Sequence, residues 1–221
     1  MVLKLTENEL RHIFDVMENI AIKNKAPVFN LNFLKTPFQH LVFTVLSSRT
    51  RDEVTAEACK RLLSKAGSPE ELEKLSVEEI EKLIRGVGFY RVKAKRLKDL
   101  SKEIKKLGGV PDTYEELIKL PGVGRKTANV VLASAFGKNA IGVDTHVHRI
   151  ANRLGIVSTK SNSETEEELK KIIPKDLWIK VNKAMVGFGQ TVCKPQNPLC
   201  DNCPFKSFCH YSNFNKAHKP R

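Results

Sequence analysis

Alternating apolar and polar residues, the mark of half-buried strands, are missing from this 221-residue sequence. That absence argues against sandwiches, barrels and open sheets and leaves an all-α fold. Also missing is any run of 18 apolar residues, and no signal-peptide pattern opens the chain. The expectation is a soluble, intracellular protein of the cytoplasm or nucleoid with no membrane partner. Negative charge is scarce: 25 Asp and Glu stand against 38 Lys and Arg, giving a formal charge of +13 and a pI near 9.6. Nucleic acid is the partner such a balance favours. A lysine-rich solvated surface is the competing explanation, because many lysines stand beside glutamates on helical segments.

What is present is apolar material, 41% of the residues, enough for one or two domains with real cores. Helix punctuation is dense. Thr6 and Glu9 make a capping box ahead of Leu10, Ile13 and Phe14, and a second box pairs Ser76 with Glu79. Thr36-Pro37 opens "PFQHLVFTVLSS", with proline at the first helical position. The next helix is expected to run from a capping Asp52 to a left-handed stop at Gly67. "YRVKAKRLKDLSKEIKKLGG" is a basic helix ending on paired glycines, and later helices are expected to begin near Asp144, Ser163 and Leu177. "GVGFYRVKAKRL" at 86–97 echoes "GVGRKTANVVL" at 122–132, two helix–glycine turn–helix units or a chance recurrence of glycine stops.

"PGVGRKT", residues 121–127, carries the chemistry of this second turn. A nucleotide-binding P-loop needs G-x-x-x-x-G-K-[ST] after a strand. Here Arg125 precedes Lys126, and "YEELIKL" before the turn reads as helix, so that reading fails. A helix–hairpin–helix fits instead. Gly122 and Gly124 let the backbone approach a ligand closely, and the amides opening the next helix would face a DNA phosphate without reading sequence. A plain helical connector is the alternative. Lys126 is then either a phosphate contact, which needs only its charge, or a nucleophile. The second role requires a neutral amine against an ordinary pKa of about 10.4, and a helix N-terminus with poor solvation would favour it.

Downstream lies "IGVDTHVHRIANRLG". Asp144 is either an N-cap or a carboxylate partner for Lys126. His146 and His148, two apart on a helix, point in different directions and are read as a surface or phosphate-contacting pair rather than a metal site. Cys193, Cys200, Cys203 and Cys209 are spaced C-x6-C-x2-C-x5-C, which suits zinc or an iron–sulfur cluster equally. Disulfides are not expected in an intracellular chain. Cys59, in an apolar helical pattern, reads as core.

"LPGVGRKTANVVLASAFG" followed by "VDTHVHRIANRLG" resembles the endonuclease III group of helix–hairpin–helix DNA glycosylases, with likeness from about residue 30 to Cys209. The resemblance implies a two-lobed all-α fold. Residues 28–138 would form a six-helix lobe with the hairpin, and 1–27 with 139–221 an iron–sulfur lobe. It implies a [4Fe–4S] cluster on the four cysteines, because the spacing beside "GFGQTVC" matches the family's motif. Lys126 would attack C1′ of a damaged nucleoside and Asp144 would assist, with a flipped nucleotide and β-elimination 3′ to the lesion. Related mismatch glycosylases that only remove the base lack this lysine, so Lys126 implies a combined glycosylase and lyase for oxidised pyrimidines.

Expected DNA contacts are Gly122, Val123, Gly124, Arg125 and Thr127 at the hairpin, with Arg49, Val87, Phe89, His146 and Lys194 elsewhere. Arg49 stands where the bacterial pattern has glutamine, which leaves the preference for the opposite base open; it would fill the gap of the flipped base or hold a phosphate. The family's wedge falls on Val87 and Phe89, with a core role equally open for Val87. A monomer acting on double-stranded DNA with a damaged base or abasic site is expected. A mismatch uracil or thymine glycosylase with lyase activity, and a non-catalytic DNA-binding module, are the alternatives.

Overall fold

The computed structural model describes residues 2–217, with side chains through residue 213. Among these residues every regular element is helical. The chain divides into two compact units, one made of 31–140 and the other of the segments on either side.

The 31–140 unit holds six helices of 6 to 18 residues and a single helical turn. These are α2 (Pro37–Ser47), α3 (Asp52–Leu63), α4 (Pro69–Lys74), α5 (Val77–Leu83), α6 (Tyr90–Leu107), the turn α7 (Tyr114–Leu117) and α8 (Arg125–Phe136). α2 is its centre. Phe38 and every residue from Leu41 to Leu46 are buried, so this helix is apolar nearly all round, as an enclosed helix must be. It packs against α3, α6 and α8, and Leu97, Leu100 and Ile104 of α6 join Val131 and Leu132 of α8 in the same core.

The other unit contains α1 (Glu7–Lys23), α9 (Thr145–Leu154), α10 (Asn162–Ile172), α11 (Trp178–Thr191) and α12 (His210–Ala217). α11 is central here, lying against α1 and α9. α1 contributes Leu10, Ile13, Phe14, Met17 and Ala21, an i, i+3, i+4, i+7 stripe.

Local signals decide the helix starts. Both capping boxes form, Thr6 with Glu9 and Ser76 with Glu79, and Thr36 caps α2 with Pro37 at its first position. Two expectations fail at α3. Arg51 holds the N-cap position without a side-chain bond, and Asp52 is already helical, where its charge faces the positive end of the helix. The helix also stops at Leu63, and Gly67 is not left-handed. The Gly67 amide instead donates to Glu71 Oε2 at 2.7 Å, which ties it to the start of α4. The paired glycines after α6 do turn left-handed, Gly108 at φ 74° capping the helix.

Candidate active site

In the hairpin, Gly122 is left-handed at φ 79° and Gly124 is the extended N-cap of α8. No side chain caps that helix, so its first amides lack the usual side-chain acceptor. Gly122, Gly124 and Arg125 are exposed, and Lys126 is half-buried on the first turn of α8. A Cβ on Gly122 would lie 3.2 Å from Arg96 Cδ, so the exposed Arg96 of α6 lays its stem against the turn. Val123 and Thr127 turn their side chains inward. Their side chains are 7% and 9% exposed, in the packed interior, and only their backbone is left to meet a ligand.

The earlier glycine turn divides its two expected wedge residues. Val87 is 2% exposed and belongs to the core, so its side chain is no wedge. Phe89 is 61% exposed and left-handed at φ 57°. Arg49, also left-handed at φ 52°, holds its guanidinium 5.5 Å from the centre of the Phe89 ring. Sequence separation concealed this pairing of positions 49 and 89.

Asp144 belongs to the other unit and caps α9. Its Oδ1 accepts from the amides of His146 and Val147 at 2.8 and 2.9 Å. Both histidines are half-buried, and each ring also has a partner within its own unit. His146 Nδ1 lies 3.1 Å from Arg149 Nη2 and against Gly189 of α11, where a Cβ would come within 2.5 Å of it. His148 Nδ1 lies 2.6 Å from Thr165 Oγ1, within a network that includes Asn152 and Thr159. α9 packs between α10 and α11, so residues two apart reach opposite neighbours.

All four motif cysteines line one cavity with Leu154, Phe188 and Val192. Among the described residues no three His, Cys, Asp or Glu side chains group as a single metal ion would need. Four cysteines lining one cavity fit a group that takes thiolate ligands, as zinc and iron–sulfur clusters both do. Burial pushes the Cys203 thiol up to about 11 and raises Cys209 as well. Thiolates here therefore call for a cationic group to compensate them. Two residues the sequence reading overlooked secure this loop. Arg149 donates to the Cys193 carbonyl at 2.9 Å, and Arg153 donates to the Lys194 and Pro195 carbonyls with Nη1 3.6 Å from Cys193 Sγ. Their i, i+4 spacing in "HRIANRLG" was the available signal. Cys59 is buried in the core, its thiol pushed up to about 12.

Comparison with known proteins agrees with this layout. Residues 42–175 match the model for HhH-GPD superfamily base excision DNA repair proteins, and residues 193–209 match the iron–sulfur binding domain of endonuclease III. Endonuclease III of Thermotoga maritima is 54% identical over 79% of this chain and 83% of its own length. That of Bacillus subtilis is 43% identical over 78% and 80%. The solved structure of a trapped endonuclease III–DNA covalent intermediate superposes with a TM-score of 0.85, at 38% identity, covering 96% of this chain and 100% of the other. The chain belongs to the endonuclease III family of base-excision-repair DNA glycosylases with AP lyase activity, whose cofactor is a [4Fe–4S] cluster.

Proposed function

We propose that this enzyme removes oxidised pyrimidines from double-stranded DNA and then cuts the strand, with Lys126 as nucleophile and Asp144 as its assisting carboxylate. The observation that carries the assignment is the position of Lys126, one residue into α8, beside a glycine turn whose amides open the helix without a side-chain cap. Those amides grip a phosphate, and Arg96 beside Gly122 adds a cation to the grip. With the sugar so placed and the damaged base out of the stack, the Lys126 amine bonds to C1′ as the bond to the base breaks. The ring oxygen takes a proton as the sugar opens, leaving an iminium. Loss of the C2′ proton then expels the 3′ phosphate, and water releases the lysine. Asp144 stabilises the positive charge that develops on the sugar and accepts protons.

Cys193, Cys200, Cys203 and Cys209 hold the cluster, which orders the loop they share when it is bound. Lys194 is the cation of "CKPQNPLC" and contacts the DNA backbone, with His146 at the start of α9. The enzyme acts as a monomer. Borohydride trapping tests the core of the proposal, on duplexes carrying thymine glycol, dihydrouracil, an abasic site, U·G or T·G. The native protein should form a covalent adduct with the oxidised and abasic substrates, and Lys126→Ala should form none while still binding. Adduct only with U·G and T·G would replace oxidised pyrimidines with mismatches, and no adduct at all would remove Lys126 from the chemistry.

A further inference from the structure

Lys93 lies on the first turn of α6, is 4% exposed, and among the described residues its ammonium is held by carbonyl and hydroxyl oxygens rather than by a carboxylate. A buried ammonium needs all three protons placed. Here Nζ donates to the Leu46 carbonyl at 2.8 Å, the Ser48 carbonyl at 2.6 Å and Thr50 Oγ1 at 3.3 Å. These acceptors lie at the C-terminal end of α2 and in the turn just after it, where the helix dipole welcomes a cation. Thr50 is equally occupied. Its hydroxyl donates to the Ser48 carbonyl at 3.2 Å and accepts from the Gly88 amide at 3.0 Å. The two turns are also in steric contact, since a Cβ on Gly88 would sit 2.6 Å from the Arg49 carbonyl oxygen. Arg49 and Phe89, two of the four left-handed residues other than glycine among those described, protrude from the two sides of this clasp. Such backbone persists only where its surroundings over-determine it.

We infer that Lys93 is a positioning residue: by fastening the 46–50 turn to the start of α6 it holds Arg49 and Phe89 as one preformed wedge that fills the duplex where the damaged nucleotide leaves. This rests on the reading of Arg49 and Phe89 as DNA contacts. Lys93 touches neither substrate nor reacting atoms. Its effect is therefore confined to substrates that have a stack to hold open and an opposite base to meet. Burial, with a smaller push from the charge of Arg96, brings the Lys93 amine down to about 8.

The test is Lys93→Met, which keeps the stem and removes the donors, read with three probes. Single-turnover base release from lesion duplexes carrying each of the four opposite bases should fall about tenfold and lose its discrimination among them. The fluorescence of 2-aminopurine placed opposite an abasic site, which rises when a wedge unstacks it, should rise less than with native protein. Borohydride trapping on single-stranded abasic DNA should change by less than about twofold, because Lys126 is untouched. Thr50→Val, which removes one of the three acceptors, should give the same pattern at about threefold and serves if Lys93→Met does not fold. An equal loss on single and double strands, or no loss on either, would overturn the proposal. Native protein that traps neither substrate would instead sink the lyase reading, with the 2-aminopurine signal still reporting on the wedge.

Discussion

Gly86-Val87-Gly88 and Gly122-Val123-Gly124 build the same turn twice and put it to different uses. In each, the first glycine is left-handed, at φ 100° and 79°, and the valine is buried. Each valine amide returns to the residue three before it, Ile84 and Leu120, at 3.1 Å. The copies part after the second glycine. Gly124 is extended and α8 begins at once, so the turn ends in helix amides with Lys126 beside them. At the other turn Phe89 is inserted at the N-cap in left-handed conformation, and the turn ends in an exposed aromatic ring. A common apolar plug makes the turn, and one residue at its exit decides whether backbone or side chain is presented.

The largest effect on catalysis that would break this contrast comes from Phe89→Gly. Glycine takes φ 57° without strain, so stability should hold or rise by up to about 1 kcal/mol in denaturant titration. Base release from duplex should nevertheless fall about tenfold, corresponding to roughly 1.4 kcal/mol of lost contact. A fall in stability to match the fall in rate would mean that the ring serves the fold. Next come alanines at the two turns. Gly88→Ala drives a methyl onto a backbone oxygen and should cost about 2–3 kcal/mol. Gly122→Ala meets only the flexible Arg96 stem and a left-handed backbone, and should cost about 1 kcal/mol. Equal costs would erase the difference between clasp and grip.

The smallest effect is a pH dependence that belongs to the first turn alone. Lys93 titrates near 8 in the folded chain, below the 10.5 of a free lysine. Between those values the unfolded chain binds more protons, so stability should rise with pH across that window, by on the order of 1 kcal/mol from pH 8 to 9.5. Below pH 8 both forms are protonated and the contribution is flat. Unfolding midpoints at the two pH values for native protein and Lys93→Met, in which the rise should vanish, check this.

Much of the fold was legible because helix starts are local chemistry. The Thr6–Glu9 and Ser76–Glu79 boxes and the Thr36-Pro37 start all appear where the residues called for them. Asp52 misled because a carboxylate suits both the cap and the first turn, and the choice depends on how the chain enters. The hairpin was legible for the same local reason. The clasp was not, since Arg49, Thr50, Gly88 and Lys93 are joined only by packing. Lys93 in particular looked like one more cation of a basic helix, and nothing in a run of lysines marks the one facing inward. The fates of Val87 and Val123 likewise depend on the core beneath them.

The discontinuity of the second unit has a consequence for the order of assembly during synthesis. α1 leaves the ribosome before the inserted unit, yet the partner that covers Leu10, Phe14 and Met17 is α11, made only after all of 31–140. Domains fold as units while the chain is still growing. The inserted unit, whose core draws only on its own residues, can therefore close while α1 still waits with its apolar face unclaimed. A truncated or stalled chain ending soon after Ala140 would thus combine a finished core with a sticky first helix. In this protein, the cost of interrupted translation falls on residues 7–23.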